Sequence, residues 1–183
     1  MGVFSSVLFA LCCVLFFGVV LSHADTTSQN NTVSIICQNA NNPSLCWQLL
    51  KPVRNLDAVG VTNYTLNLTH TSTIECLHHA QRLEAEETTN PDLKNRYSDC
   101  SKHINSSLPD IETAQYCMGY HTYIVADVCI MGASVNIGVC LDKLNQPPLE
   151  PSTLLKDIKN LHDIFDITSR LVHLLAGNDF WII

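Results

Sequence analysis

Along most of this chain, apolar and small residues recur at alternating steps of three and four, the spacing that gathers them on one face of an α-helix. Three breaks divide the pattern into four helices. The first is expected from Asn55 to Glu87, with Leu66, Thr69, Thr73, Cys76, Ala80 and Leu83 inward. Its threonine-rich part is a poor helix former, because β-branched side chains lose χ1 freedom in a helix. Thr88-Thr89-Asn90-Pro91 makes the first break, with Asn90 as N-cap and Pro91 at the first helical position. The second helix carries Leu93, Tyr97, Cys100, Ile104, Ser107, Ile111, Ala114 and Met118 on one face. Pro109 lies inside it and predicts a kink near Asn105, whose carbonyl loses its N–H partner.

Gly119-Tyr120-His121 reads as a tight turn into a third helix with Tyr123, Ala126, Ile130, Ala133, Ile137, Cys140 and Leu144 inward. The stretch from Asn145 to Pro151 holds three prolines and stops that helix. The fourth begins at a Ser152 or Thr153 cap, turns Ile158, Leu161, Phe165, Thr168, Val172 and Leu175 inward, and ends at Gly177. Four amphipathic helices joined by short connections predict an all-α fold, an antiparallel four-helix bundle over residues 55–177. A short helical hairpin over residues 34–54 precedes it, bent at Asn42-Pro43.

The opening of the chain follows a different rule. Residues 1–24 contain no Asp, Glu, Lys or Arg, and Ser22-His23-Ala24 offers small residues at the −3 and −1 positions. This reads as a secretory signal peptide, leaving a mature domain of residues 25–183 with no membrane attachment after cleavage. An uncleaved anchor is the alternative, since the run from Val3 to Leu21 is just long enough to span a bilayer. Glycosylation sequons at Asn30, Asn63, Asn67 and Asn105 agree with an extracellular route, while Pro43 disqualifies Asn42.

Charge narrows the function. With 10 Lys+Arg against 17 Asp+Glu, the net charge of −7 argues against nucleic acid and for a basic partner. Seven of the eight histidines follow His23, so binding to such a partner is expected to vary between about pH 5 and 7.

Seven of the nine cysteines remain after Cys12 and Cys13 leave with the signal peptide. Outside the cytoplasm most paired thiols become disulfides. If two helices run antiparallel about residue 120, Cys100 and Cys140 lie level on their inward faces and should bridge them. Cys117 and Cys129 miss that register by roughly 9 Å along the axis. Cys37 and Cys46 are expected to close the hairpin. Cys76, Cys117 and Cys129 are left as thiols, with Cys76 a competitor for Cys100 across the Asn90 break.

No G-x-S-x-G, H-E-x-x-H, C-x-x-C or glycine-rich phosphate loop occurs in the chain. Glu75, His78 and His79, with His103 on the next helix, come nearest to a metal set. His78 points about 100° from the shared face of Glu75 and His79, which favours a solvated helix surface. Short loops leave no cleft for a pair of catalytic carboxylates. The chain is therefore expected to be neither an enzyme nor the holder of a metal or cofactor.

Three segments carry a family resemblance. Ile36-Cys37-Gln38-Asn39-Ala40-Asn41-Asn42-Pro43-Ser44-Leu45-Cys46 is similar to the I-C-x-x-T-x-N-P-x-x-C opening of plant pectin methylesterase and invertase inhibitors. Leu93-Lys94-Asn95-Arg96-Tyr97-Ser98-Asp99-Cys100 resembles the L-K-x-R-Y-x-x-C helix of that family, and Cys140-Leu141-Asp142 its C-x-D ending. The resemblance spans about Ile35 to Gly177. It implies a hairpin on a four-helix bundle, bridges 37–46 and 100–140, and non-catalytic inhibition of a cell-wall carbohydrate enzyme.

The family divides by target. Invertase inhibitors resemble one another in a Pro-Lys-Phe motif between the second and third bundle helices. Here Gly119-Tyr120-His121-Thr122-Tyr123 stands closer to the G-D-Y turn of the pectin methylesterase inhibitors. The resemblance thus implies a secreted cell-wall inhibitor lying over the pectin-binding cleft of pectin methylesterase, through Lys102, His103, Ser106, Asp110, Asn136, Val139 and Asp142. Val139 departs from the Thr that often precedes the cysteine. Acid invertase, of cell wall or vacuole, is the alternative partner, and a secreted bundle with no enzyme target the second alternative. A lipid carrier similar to plant lipid-transfer proteins would need an adjacent cysteine pair in the mature domain, and Cys12-Cys13 precedes it.

Overall fold

The computed structural model describes residues 32–147 and 151–177. The expected signal peptide, the sequon at Asn30 and part of the Asn145–Pro151 linker lie outside the described residues. Helix α1 covers 32–39 and α2 covers Pro43–Leu50. A 3-10 turn at Lys51–Val53 leads to α3 (Ala58–Glu86), α4 (Pro91–Gly119), α5 (Tyr123–Leu144) and α6 (Leu154–Leu175).

Local chemistry sets most of these ends. Asn42 and Asn90 each cap a helix through their side-chain oxygens, which accept from the N–H of Leu45 and Leu93, with proline at the first position. Asp57 caps α3 by accepting from the Gly60 N–H at 2.7 Å. The helix therefore starts three residues after Asn55. At α6 the Ser152 hydroxyl accepts from the Leu154 N–H, and Gly177, at φ +75°, ends the run.

α3 packs on α4 and α6, and α5 packs on the same two helices, closing a four-membered ring. The expected inward faces of α4 and α5 are buried, except that Tyr123 is half-buried. On α3, Thr62, Thr65, Thr69 and Thr73 are all buried, and each hydroxyl donates to a carbonyl three or four residues back. That solves the problem posed by the threonine run: each buried hydroxyl is satisfied within its own helix, so it crosses no packing surface unpaired. Thr69 also meets Thr168 of α6 at 2.9 Å.

α4 stays helical across Pro109. A proline deletes one hydrogen bond, and the continuous interior stripe from Leu93 to Met118 holds the helix together on both sides of it. At its end Gly119 remains helical. The left-handed residue is His121 (φ 57°), with the His121 and Thr122 N–H groups donating to the Met118 and Cys117 carbonyls. This is a Schellman closure with histidine where glycine is usual.

The hairpin has a core of its own. Val33, Ile36, Ala40 and Leu50 pack with Val61 of α3 and with Ile167 and Leu171 of α6. Asp166 and Asp163 of α6 accept from the Asn41 N–H at 2.8 Å and the Asn42 amide at 3.0 Å. α6 thus buries two adjoining faces, one toward the bundle and one toward the hairpin.

Two disulfides form. Cys37–Cys46 closes the hairpin with Cα atoms 5.3 Å apart, and Cys100–Cys140 joins α4 to α5 at 4.5 Å. Cys76, Cys117 and Cys129 are free thiols. Burial, with Asp157 and Glu75 nearby, pushes the Cys76 thiol up to about 12, which makes it an inert part of the core.

Candidate protein-docking face

The outer side of the α4–α5 pair is built around the Cys100–Cys140 bridge. Three contacts fix its register. Asp99 of α4 lies 3.7 Å from the Lys143 ammonium of α5. His103 Nδ1 lies 3.3 Å from Asn136 Oδ1. Asp110 comes so near α5 that a Cβ at Gly132 would stand 3.3 Å from its carboxylate. These pairs follow the antiparallel register of the disulfide, so the polar seam and the sulfur bridge enforce one alignment.

All seven residues expected to bind a partner fall on this side. Lys102 is exposed and pairs with Asp99 at 3.5 Å, and exposed Ser106 donates to the Lys102 carbonyl. His103, Asp110, Asn136 and Val139 are half-buried along the seam, and Asp142 is exposed at its end. Lys102, His103 and Asn136 hold one another or Asp99 in place, so their donors and acceptors are preset. Cys129 sits half-buried on the same seam, its thiol pushed up by burial and by Asp110 and Cys117.

One feature of the face was missed by sequence reasoning. Ile124, Val128, Met131 and Val135 form a second apolar stripe on α5, opposite the buried one and open to solvent; Val135 is 67% exposed. Tyr116 and Tyr120, at the end of α4, are exposed as well, with ring centroids 4.7 Å apart. The stripe was legible, since 124, 128, 131 and 135 follow helical spacing, but attention to the inward stripe hid it. α5 is the one described helix long and apolar enough to cross a membrane. Its disulfide to α4 and its Asp127, 2.8 Å from His173 of α6, instead tie it into the bundle. A contiguous exposed apolar stripe beside a polar seam is the composition of a protein-docking surface.

The metal-like set is not assembled. His103 faces α5, whereas Glu75, His78 and His79 line an open groove of about 830 Å³ between α2, α3 and α6. Glu75 and His78 are exposed. His79 is not simply solvated: its Nδ1 lies 2.9 Å from Asp157 Oδ2, joining α3 to α6.

Comparison with known proteins identifies the fold. A family model described as plant invertase/pectin methylesterase inhibitor matches residues 31–173. The chain belongs to this family. Among its relatives is a pectinesterase inhibitor of Actinidia deliciosa, 26% identical over 168 residues and aligned over 90% of each chain. A solved mutant form of a pectin methylesterase inhibitor from Arabidopsis has a TM-score of 0.72 at 19% identity, covering 78% of this chain and 95% of that one. A second, from Arabidopsis thaliana, gives 0.62 at 18% identity over 76% and 92%. The plant invertase/pectin methylesterase inhibitor fold thus accounts for both the bundle and the hairpin.

Proposed function

We propose that this chain is a secreted, non-catalytic inhibitor of pectin methylesterase that acts by laying the α4–α5 face over the pectin-binding cleft of the enzyme. The observation that carries the reading is the exposed apolar stripe of α5 running beside the preset polar seam of α4. A helix pair of this length offers the ~800 Å² per partner that stable complexes bury. The disulfide and the seam fix the face before contact, so little ordering entropy is lost on docking. The relative named a pectinesterase inhibitor supports this target over invertase, as does the Gly119-Tyr120-His121 turn.

The test is titration of the mature protein into pectin methylesterase and, in parallel, acid invertase. Val135→Asp puts a charge on the exposed stripe without touching the core. It is expected to weaken inhibition at least about tenfold, the cost of losing ~1.4 kcal/mol at an interface. Lys159→Glu, exposed on α6, should leave inhibition unchanged. Equal inhibition by the parent and Val135→Asp would refute the placement of the face. Action on invertase alone would refute the target.

A further inference from the structure

We infer that N-linked glycans occupy the α3–α4 flank of the bundle, at Asn105 and at one or both of Asn63 and Asn67, and leave the α4–α5 face bare. The modification stands on the sequons, their exposure and the secretory route read from the sequence; its separation from the docking face rests on the function proposed above.

In each of the three sequons the asparagine is exposed and the hydroxyl residue two places on is buried. Asn63, Asn67 and Asn105 lie in solvent, while Thr65, Thr69 and Ser107 are 1%, 0% and 0% exposed. Helical geometry requires this, because positions i and i+2 stand about 200° apart. Each buried hydroxyl has a structural role, Ser107 donating to the Ile104 carbonyl at 2.6 Å. Sugar on these asparagines therefore displaces nothing in the core. It must be added before the helices close, while the hydroxyl is still reachable.

Contacts between helices give the side. Ser101 donates to Glu84 of α3 at 3.3 Å, Glu112 lies 3.6 Å from His70, and Gln115 donates to Asn67 at 2.8 Å. Asn105 is one turn beyond Ser101 in this row, which faces α3. The row of Asp99, His103 and Asp110 faces α5 instead. Gln115 bonds the Oδ1 of Asn67, leaving free the Nδ2 that would carry the sugar. In the transfer, Nδ2 attacks the anomeric carbon of a lipid-pyrophosphate-linked oligosaccharide. A C–N bond replaces the sugar's C–O bond, and the amide proton leaves with the released lipid pyrophosphate. Gln115 marks the level of Asn67 on α4, roughly 15 Å along the axis from Asn105, so the sugars cover the length of this flank. No sequon lies on α5 or α6.

The full chain, secreted from yeast, is treated with a peptide N-glycosidase in heavy-oxygen water, which converts each sugar-bearing Asn to labelled Asp. Label is expected at Asn105 and at Asn63, Asn67 or both. Asn105→Gln should lose the mass of one glycan with an unchanged melting curve. An unlabelled Asn105, or an unlabelled Asn63 and Asn67, overturns the assignment. Titrating the glycosylated and deglycosylated forms into pectin methylesterase then tests the side. The inhibition constant should change by less than about threefold, and a larger gain on removing the sugar overturns the separation. If neither form inhibits, the proposed function and the separation fail together, while the mass data still decide the modification.

Discussion

Replacing both Cys100 and Cys140 with alanine tests how this bundle is held together. Both are fully buried, and the bridge closes a loop of sequence separation 40. Chain entropy makes such a cross-link worth about 4 kcal/mol through its restriction of the unfolded ensemble. The missing sulfurs leave small voids that add about 1 kcal/mol each. A domain of this size has only about 5–15 kcal/mol in total, so the variant is expected near the edge of folding. The Cys37–Cys46 bridge spans a separation of 9, for which the same relation gives about 2.5 kcal/mol. Urea unfolding followed by helical circular dichroism should therefore rank the parent first, the hairpin variant next and the bundle variant last. The urea dependence should also steepen as the unfolded chain expands. A bundle variant that loses less than about 2 kcal/mol, or less than the hairpin variant does, would show that the loop argument is wrong.

Three further outcomes are expected. His121→Gly relieves the left-handed backbone at the α4–α5 turn but loses the 2.6 Å contact of His121 Nδ1 with the Tyr123 hydroxyl. It should stabilise the protein by about 0.5 kcal/mol in thermal melts, and a lower Tm would contradict the Schellman reading. Thr69→Val strands the buried Thr168 hydroxyl, at about 1–2 kcal/mol, whereas Thr168→Val leaves Thr69 bonded to the Thr65 carbonyl and should cost less. The double variant should recover most of that loss, and additive losses in the cycle would deny the coupling. A thiol at about 12 is ionised to only about one part in three thousand near pH 8.5. Iodoacetamide should therefore leave Cys76 unlabelled in the folded protein. The thiolate fraction rises with pH toward that value, so labelling at neutral or mildly basic pH without unfolding would overturn its buried placement.

The helices and their inner faces were legible because burial imposes a period that the chain cannot disguise. Asn90-Pro91 marked the start of α4, and two cysteines at matched positions gave the α4–α5 register. What escaped the sequence was whatever depends on a third body. The width of the apolar face of α6 comes from serving two cores, one of them in the hairpin. The start of α3 was placed three residues early, at Asn55, because the capping side chain of Asp57 was not read. α4 runs unbroken through Pro109, because one absent hydrogen bond cannot outbid a full row of buried contacts. The left-handed position falls on His121, the last residue of the turn read from the sequence, because the geometry of the closing turn, not residue preference, chose it. On the proposed docking side the polar residues were named through family likeness, and the exposed α5 stripe, which no likeness named, needed the surface itself.

The hairpin, with its own sulfur link and apolar cluster, also has an optical consequence. The chain has two tryptophans, and Trp47, the one within the described residues, sits on α2. Its fluorescence watches the appendage, on the opposite side of the ring from α4. In a Trp181→Phe variant, a dye-free melting trace read by tryptophan emission can thus report loss of the small lobe while the α4–α5 side stands intact, which makes emission and potency separate clocks.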